Sequence, residues 1–333
     1  MSNSASPLRW GIIGLGWVST DFTGPAMLKS PGSRMAACLG SSPQKGKAFA
    51  ERFQVERVHA SLDAMMADPD VDAIYVATPN ATHREIVLAA ALAGKHVLCE
   101  KPFAMHVAEA REMAEACRRA GVILRVAHQL RLEEAVVRAR EIVRSGRLGR
   151  IAAISLERAS AMPPRTTWRT DVHQSGVVYD VGVHLIDQVQ WLIGQRFAEV
   201  SAFTHPDRRQ GEADDQITIL GRMSEDCHAV IRATREIAAA ENNLIIEGSE
   251  ATLITSALRF VPEHFVRVRD PKGSSEERFK ASPNYELQVR AFEGEIAGTR
   301  SLLPDGEACI HVVATTQAVL ASVQERRAVA PAA

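Results

Sequence analysis

The stretch RWGIIGLGWVST, residues 9–20, decides the fold of the first part of the chain. Its apolar run predicts a buried strand, which leads directly into a turn with the glycines Gly14 and Gly16, before a helical pattern. A strand that enters a helix through a glycine-rich turn is typical of the first βα unit of a doubly wound parallel sheet.

The glycine turn has the spacing Gly14-x-Gly16-x-x-Ser19, which matches two of the three glycines in the dinucleotide-binding fingerprint. The first glycine of that fingerprint makes a tight turn, and the second lets the backbone approach a pyrophosphate. Ser19 replaces the third glycine. The position between a strand and a helix favours a dinucleotide site, and a glycine-rich turn without a ligand is the alternative.

Outward from this turn, short apolar runs alternate with amphipathic helical patterns. We predict helices over 81–94 and 107–121, the second closed by Gly121 as a helix C-cap. We predict six strands, at 9–16, 34–40, 57–60, 72–78, 95–100 and 122–127. The alternation predicts an α/β fold whose N-terminal Rossmann domain, residues 1–126, is a doubly wound parallel sheet.

A second domain, residues 127–333, is predicted from a change of rhythm. Helical patterns cover 132–146, 176–193 and 306–325, and a Pro-rich stretch covers 161–176. Segments that read as strands fall at 149–160, 198–205, 215–223, 227–237 and 242–256. Strands gathered in this way predict a C-terminal α+β domain with an open, mostly antiparallel sheet and helices on one face.

Composition limits the classes of partner. The 39 basic and 40 acidic residues nearly cancel, so no global field favours nucleic acid or an anionic membrane, and no metal-ligand cluster is evident. The N-terminus lacks a signal-peptide pattern and no apolar run suggests a membrane span, so a cytoplasmic protein is expected. Its five scattered cysteines are expected to be reduced and mostly buried. Small molecules are the expected partners.

The end of the second predicted strand bears on the choice of cofactor. NAD sites usually place an acid there, to bond the ribose 2′-hydroxyl. This chain reads CLGSSPQKGK, residues 38–47, with Ser41 and Ser42 in place of a carboxylate and with Lys45 and Lys47 able to neutralise a 2′-phosphate. The pattern favours NADP over NAD. An ordinary solvated helix start that accepts either cofactor is the alternative.

The fourth predicted strand ends in Thr78, Pro79 and Asn80, and His83 follows in the first helical turn. Ligands of open α/β sheets bind at the carboxyl edge where this turn lies. Asn80 has two interpretations of equal weight, a cofactor contact and a cap for the following helix.

The fifth predicted strand ends in Glu100, Lys101 and Pro102 at the same edge. A turn fixed by Pro102, through a cis peptide as our hypothesis, would aim Lys101 across the cleft. A desolvated lysine can polarise or protonate a carbonyl oxygen. The alternative is a surface ion pair between Glu100 and Lys101.

The predicted helix within residues 174–194 carries Asp180, His184 and Asp187 at helical spacing, so all three can share one face. Histidine is the usual proton shuttle near neutral pH, and a neighbouring carboxylate can orient it or hold a substrate hydroxyl. A merely solvated helix face is the alternative, and it is favoured when the helix is considered alone.

The glycine turn at Gly14, TPNATH (78–83), GKHVLCEKP (94–102) and the helix with Asp180 and His184 together resemble the glucose-fructose oxidoreductase/inositol dehydrogenase/MocA (Gfo/Idh/MocA) family. The resemblance implies a Rossmann domain, a second open-sheet domain, a nicotinamide cofactor and a sugar-like substrate. It implies that Lys101 contacts substrate and nicotinamide, that Asp180 is the acid of the helix motif, and that His184 is its catalytic histidine. The residues expected at the cofactor are Gly14, Gly16, Trp17, Val18, Ser41, Ser42, Lys45, Thr78, Pro79, Asn80, His83, Glu100 and Lys101.

Within that family, the serine pair and PPRTTWR, residues 163–169, resemble the NADPH-dependent 1,5-anhydro-D-fructose reductases. Pro163, Pro164, Trp168 and Arg169 are expected to line the sugar site, with Trp168 stacked on a pyranose face. A loop tryptophan packed between domains is the alternative. The chain departs from the pattern at Gln174-Ser175-Gly176 and at His128, Gln129 and Arg131. The expected substrate residues are Lys101, Trp168, Arg169, Asp180, His184 and His128.

The resulting expectation is hydride transfer between NADP(H) and a carbonyl or secondary alcohol of a sugar-like compound. A non-catalytic NAD(P) or sugar sensor and an inositol or dihydrodiol dehydrogenase are the alternatives. The open sheet needs a cover for its outer face, and the strand in 227–237 could supply that face to a partner copy. A homodimer or higher homo-oligomer is therefore expected, with a helix or loop as the alternative cover.

Overall fold

The computed structural model describes residues 6–162, 167–259 and 261–332. The chain forms two compact units, the first from Met1–Gln129 and Pro283–Cys309, and the second from Leu130–Ser282 and Ile310–Ala333. This division differs from the predicted boundary after residue 126, because the segment from Pro283 returns to pack with the N-terminal unit.

The first unit is built on a parallel sheet with the strand order β3-β2-β1-β4-β5-β6. All six predicted strands are confirmed, as is the doubly wound arrangement. They are β1 (Leu8–Ile13), β2 (Ser33–Leu39), β3 (Arg57–Val58), β4 (Ala73–Val76), β5 (His96–Cys99) and β6 (Leu124–Val126). The central strands are buried on both faces, which is why they are nearly continuous apolar runs.

The described residues form helices α1 (Gly24–Lys29), α2 (Pro43–Phe53), α3 (Leu62–Ala67), α4 (His83–Leu92), α5 (Val107–Ala120), α6 (Glu134–Arg144), α7 (Val183–Ile193), α8 (Asn284–Ile296) and α9 (Gly306–Glu325). Gly121 closes α5 with a φ of 67°, as predicted. Helix α8 was not predicted. It belongs to the first unit, where Phe292 packs on Trp10 of β1 with ring centroids 5.1 Å apart.

The second unit contains a sheet with the order β14-β13-β12-β11-β7-β10-β9-β8. Only β7 and β10 pair in parallel, and the other neighbours in this sheet are antiparallel, so the predicted mostly antiparallel sheet is confirmed. The strands are β7 (Ile151–Ala159), β8 (Phe197–His205), β9 (Gln216–Met223), β10 (His228–Thr234), β11 (Leu244–Gly248), β12 (Thr252–Thr255), β13 (Glu263–Asp270) and β14 (Gly273–Lys280).

Burial alternates along β9, β10 and β13, because α6 and α7 cover one face of this sheet. The other face exposes apolar side chains, among them Phe203, Leu220 and Val230. The hairpin of β13 and β14 was not predicted. Strand β14 is exposed along nearly all of its length and rich in charge, so it lacks the apolar alternation from which strands are recognised.

Helix α9 is, among the described residues, the one helix long and apolar enough to cross a membrane by length and composition. Because 67% of its most apolar window is buried inside the protein, α9 fits a core helix. All five cysteines are buried and unbridged, as expected.

Candidate functional site

The glycine turn lies at the carboxyl end of β1, and its two glycines have different constraints. Gly14 has a φ of +92°, and a Cβ there would clash with the backbone of Ala77 and Thr78. A Cβ at Gly16 would meet nothing within 4 Å, so open space lies beside this backbone. Ser19, at the third glycine position, donates a hydrogen bond to the carbonyl oxygen of Gly14 at 2.6 Å. The turn fits the close approach of a pyrophosphate.

The segment after Gly16 differs from the regular helix that we predicted. A π-helical turn, Ser19–Thr23, begins after Val18 and runs into α1. Trp17 is 54% exposed and lies edge-on to Phe22, with ring centroids 4.9 Å apart. An exposed tryptophan beside the glycine turn gives a fluorescence probe for a ligand bound there.

The end of β2 brings three of the predicted polar residues together. Ser42 is the N-cap of α2, and its hydroxyl accepts a hydrogen bond from the backbone N–H of Lys45 at 3.3 Å. The Lys45 ammonium donates to the hydroxyl of Ser41 at 3.2 Å. Lys47 instead lies 3.8 Å from the carboxylate of Glu51. Ser41 and Lys45 therefore form an exposed polar pair, and residues 33–50 of the sequence include no Asp or Glu.

At the end of β4, His83 is fully buried and joins two turns of the carboxyl edge. Its Nδ1 lies 3.0 Å from the carbonyl oxygen of Pro102, and its Nε2 lies 3.2 Å from that of Thr78. Burial lowers the pKa of His83, so the imidazole is neutral at neutral pH and donates to one of these two carbonyl oxygens. His83 thus supports the turns rather than serving as an exposed ligand.

Asn80 is buried in the 3₁₀ turn Asn80–Thr82 that follows Pro79. Helix α4 begins at His83, and Thr82 occupies its N-cap position. Thr82, and not Asn80, is therefore at the N-cap position of that helix.

At the end of β5, a chain of hydrogen bonds holds Glu100, the residue before Lys101. The Tyr75 hydroxyl donates to Glu100 Oε1 at 2.7 Å and lies 2.9 Å from the hydroxyl of Thr23. The backbone N–H of Lys101 lies 3.3 Å from Glu100 Oε2. Glu100 is buried, so it is not half of a surface ion pair. The Lys101–Pro102 peptide is cis, as hypothesised.

Tyr75 was not among the predicted site residues. Burial raises its pKa well above the usual value, and the Glu100 carboxylate acts in the same direction. The phenol therefore stays protonated and donates. The available signal was a hydroxyl-bearing residue in the otherwise apolar strand segment AIYV.

In the second unit, Asp180 lies on a π-helical turn and His184 lies on the α-helical turn that follows it. Asp180 is exposed on the π-helical turn Val178–Gly182, and His184 is 7% exposed in the first turn of α7. The predicted single regular helix is thus interrupted where Asp180 lies. The alternative of a solvated face is wrong for His184, because that side chain is buried.

Asp187 is 1% exposed and bonds Arg131 in a bidentate ion pair, with N–O distances of 2.7 Å and 2.5 Å. The Arg131 guanidinium also lies 5.3 Å from the ring centroid of Trp191. Arg131, which departed from the family pattern, is therefore part of the packing around α7. His128 and Gln129 are buried at the end of β6, in the first unit.

Trp168 and Arg169 lie in the short 3₁₀ turn Thr167–Thr170, and both are partly buried. The Arg169 guanidinium lies 4.7 Å from the centroid of the Trp168 ring, so it covers one face of that ring. Pro163 and Pro164 lie outside the described residues.

The geometry divides the predicted site residues between the two units. The first unit gathers the cofactor residues at the carboxyl ends of β1, β2, β4 and β5, and the second carries Trp168, Arg169, Asp180 and His184. No group of His, Cys, Asp and Glu that could hold a metal ion occurs in the part of the chain that the structure describes.

Comparison with known proteins gives matches to both units. The model of an oxidoreductase family with an NAD-binding Rossmann fold, GFO_IDH_MocA, matches residues 8–128. The model of the GFO/IDH/MocA C-terminal domain matches residues 136–254. The chain is 32% identical to 1,5-anhydro-D-fructose reductase of Ensifer adhaerens over 318 residues, which are 94% of this chain and 95% of the relative.

Among solved structures, aldose-aldose oxidoreductase from Caulobacter crescentus complexed with glycerol superposes with a TM-score of 0.86 at 25% identity, covering 97% of this chain and 99% of that one. Levoglucosan dehydrogenase in complex with NADH and levoglucosan superposes with a TM-score of 0.85 at 22% identity, covering 98% and 100%. The second likeness shows the fold alone.

Proposed function

The chain belongs to the Gfo/Idh/MocA oxidoreductase family, and we propose that it transfers a hydride between NADP(H) and a carbonyl or secondary alcohol of a sugar-like substrate, as a 1,5-anhydro-D-fructose reductase does. The observation that carries the proposal is the end of β5. There the buried Tyr75–Glu100 bond fixes the backbone at Lys101, at the same sheet edge as the glycine turn.

The fit of the glycine turn supports a nicotinamide dinucleotide. The open space beside Gly16 admits a pyrophosphate, with Trp17 and Val18 as the flanking contacts. Thr78, Pro79, Asn80 and Glu100 line the rest of the edge. When bound, the reduced cofactor supplies a hydride from C4 of its nicotinamide.

Preference for NADP is supported by the polar pair at the end of β2. The Lys45 ammonium and the Ser41 hydroxyl are bonded to each other and exposed, so both can turn to the oxygens of a 2′-phosphate. No carboxylate lies in 33–50 to bond a free 2′-hydroxyl.

Three side chains carry the proton chemistry in this proposal. Lys101 and His184 polarise the carbonyl oxygen, and one of them delivers its proton, since both are donors when protonated. Asp180 orients a substrate hydroxyl or the imidazole. No metal is needed, because the positive charge of Lys101 meets the negative charge that develops on oxygen.

The substrate class follows from the name of the Ensifer adhaerens relative and from the turn that carries Trp168 and Arg169. The Trp168 ring suits stacking on a pyranose ring, and the Arg169 guanidinium can donate to hydroxyls. 1,5-Anhydro-D-fructose, a ketone on an anhydrohexose ring, is the substrate that we propose to test first.

A homodimer through the outer face of the second unit's sheet completes the proposal. Leu220 of β9 lies opposite Val230 of β10, and Ile245 of β11 lies opposite Ile254 of β12. Phe203 of β8 is 71% exposed on the same side of the sheet. An apolar band of this kind across an open sheet is covered best by a second copy of the same band.

The test of the reaction is a pair of variants, Lys101→Met and His184→Ala. Each should lower kcat with NADPH and 1,5-anhydro-D-fructose by about two to four orders of magnitude, the usual contribution of a positioned proton donor. The NADPH Kd, followed by Trp17 fluorescence, should change less than about threefold. Lys47→Met is the matched control, because Lys47 is an exposed lysine paired with Glu51.

Near-normal turnover in both variants would overturn the roles of Lys101 and His184. Tight NADPH binding by the wild-type protein without turnover on any carbonyl or alcohol would favour a sensor instead.

A further inference from the structure

The loop that joins β8 to β9, residues 206–215, reaches the segment that precedes Asp180. We call that segment, residues 168–177, the strap. The Arg208 side chain in this loop is only 10% exposed, and its guanidinium donates to the carbonyl oxygens of two strap residues, Ser175 at 2.7 Å and Val172. One arginine thus holds the strap backbone at two points.

Asp214, at the other end of the loop, holds the strap where it enters the helix. Its carboxylate accepts from the Arg208 guanidinium and from the backbone N–H of Val178 at 2.9 Å. Its backbone oxygen accepts from the N–H of Val177, also at 2.9 Å. Asp214 is fully buried. It supplies acceptors to two N–H groups that the start of the helical turn leaves without intrahelical acceptors.

Gly176 lies between these contacts with a φ of +115°, and a Cβ there would clash with both Asp214 and Arg208. The pair is therefore packed directly against the strap backbone. Within the strap, the Asp171 carboxylate accepts from the N–H of His173 at 2.9 Å and from the Gln174 amide at 2.8 Å.

These bonds connect the two ends of the strap. The N–H of Asp171 donates to the carbonyl oxygen of Trp168 at 3.1 Å, and the Ser175 hydroxyl donates to that of Asp171 at 2.5 Å. Trp168 and Arg169 at one end are thus coupled through Asp171 and Arg208 to the turn that carries Asp180.

We propose that Arg208, held by Asp214, is a positioning residue that sets the strap and thereby the affinity for the sugar substrate. This inference rests on the proposed function of Trp168, Arg169 and Asp180. Arg208 acts through the strap backbone, and it is distinct from the proton-transfer groups. Its planar fork reaches three acceptors from two nitrogens, a geometry that the one nitrogen of a lysine side chain does not reproduce.

The test compares Arg208→Lys with Arg209→Lys. Arg209 is the neighbouring arginine, and its guanidinium bonds the Asp207 side chain in the same loop. Within the part of the chain that the structure describes, the Arg209 side chain makes no hydrogen bond to the strap. Arg208→Lys keeps the charge beside buried Asp214, so the variant avoids the unpaired buried charge that Arg208→Ala would leave. The matched change at Arg209 controls for the loop.

We expect Arg208→Lys to raise the KM for 1,5-anhydro-D-fructose at least about tenfold, with the NADPH Kd and the melting temperature nearly unchanged. Arg209→Lys should leave all three at wild-type values. An unchanged KM in Arg208→Lys, or an equal rise in Arg209→Lys, would overturn the proposal. A purely structural role would instead lower the melting temperature and leave KM unchanged.

Hydrogen–deuterium exchange separates this inference from the reaction itself, because it needs no turnover. In Arg208→Lys, peptides that cover 168–178 should exchange at least about tenfold faster than in the wild-type protein, and β9 should be unaffected. If the wild-type protein turns over no sugar yet the strap loosens, the proposed function fails while the positioning by Arg208 stands. Unchanged exchange in the strap would overturn the positioning.

Discussion

Lys45 and Lys47 are two residues apart and differ in their side-chain partners. The Lys45 ammonium bonds the Ser41 hydroxyl at the end of β2, whereas Lys47 lies beside Glu51. Both lysines were predicted to lie near a 2′-phosphate, because the sequence shows only their distance along the chain. The helical turn after Ser42 brings Lys45, and not Lys47, to the Ser41 hydroxyl.

Lys45→Ala should therefore raise the Kd for NADPH by about 10-fold or more, since a charge-assisted hydrogen bond contributes about 1.5–3 kcal/mol. The Kd for NADH should stay within about twofold, because NADH carries no 2′-phosphate. Parallel fluorescence titrations of Lys45→Ala and Lys47→Ala with both nucleotides measure this. An equal loss for NADH, or a loss as large in Lys47→Ala, would contradict the role of Lys45.

At the scale of elements, the carboxyl end of β5 depends on β4. The Tyr75 hydroxyl in β4 donates to Glu100, and the bond lies in a fully buried environment. Removing the hydroxyl leaves the carboxylate without that donor. Tyr75→Phe should lower the free energy of unfolding by about 1–3 kcal/mol at pH 8, the cost of a buried acceptor that loses its partner.

The same substitution should show a defined pH dependence. Burial raises the pKa of Tyr75 well above its usual value of about 10, so the folded protein keeps this phenol protonated while the unfolded chain ionises it. The wild-type protein loses the part of its folding stability that comes from the buried, protonated phenol as pH rises above about 10. The Phe variant has no phenol to ionise, so its stability lacks this pH dependence. The stability difference between them should narrow by about 1.4 kcal/mol from pH 9 to pH 11 in urea denaturation. A difference that stays constant would contradict the burial of the phenol.

The elements that were predicted correctly are those with a strong local pattern. The buried strands β1, β4 and β5 are short apolar runs that stop at glycine or polar turns, and α5 ends in Gly121. The π-helical turn Val178–Gly182 was missed, because hydrophobic periodicity shows neither such a turn nor the bond that its first N–H makes to Asp214, a residue remote in sequence. The same reason explains why Arg208 and Asp214 were missed: their partners are remote in sequence.

At the scale of the whole molecule, the parallel sheet of the first unit and the mostly antiparallel sheet of the second could be predicted from the order of apolar patterns along the chain. The return of Pro283–Cys309 to the first unit could not. That return depends on packing such as Phe292 on Trp10, which periodicity does not show. The outer face of the second sheet is the remaining large-scale feature, and its apolar band is the basis of the proposed dimer.

Leu220→Glu should dissociate the proposed dimer, because an isologous interface would bring two carboxylates into the apolar band. Light scattering after size-exclusion chromatography should give twice the 36.3 kDa chain mass for the wild-type protein and the single mass for the variant. Leu92→Glu is the control, since Leu92 is exposed on α4 in the first unit. A monomeric wild-type protein, or an unchanged mass in Leu220→Glu, would rule out this interface.

The central claim, hydride transfer from a nicotinamide to a sugar-like carbonyl, is tested most directly by isotope transfer. The protein is incubated with NADPH deuterated at C4 on each face in turn and with 1,5-anhydro-D-fructose, and the product is analysed by mass spectrometry. The account predicts one deuterium on the reduced sugar carbon from one of the two labelled faces, and loss of that product in Lys101→Met. A sugar product without deuterium from either face would contradict it.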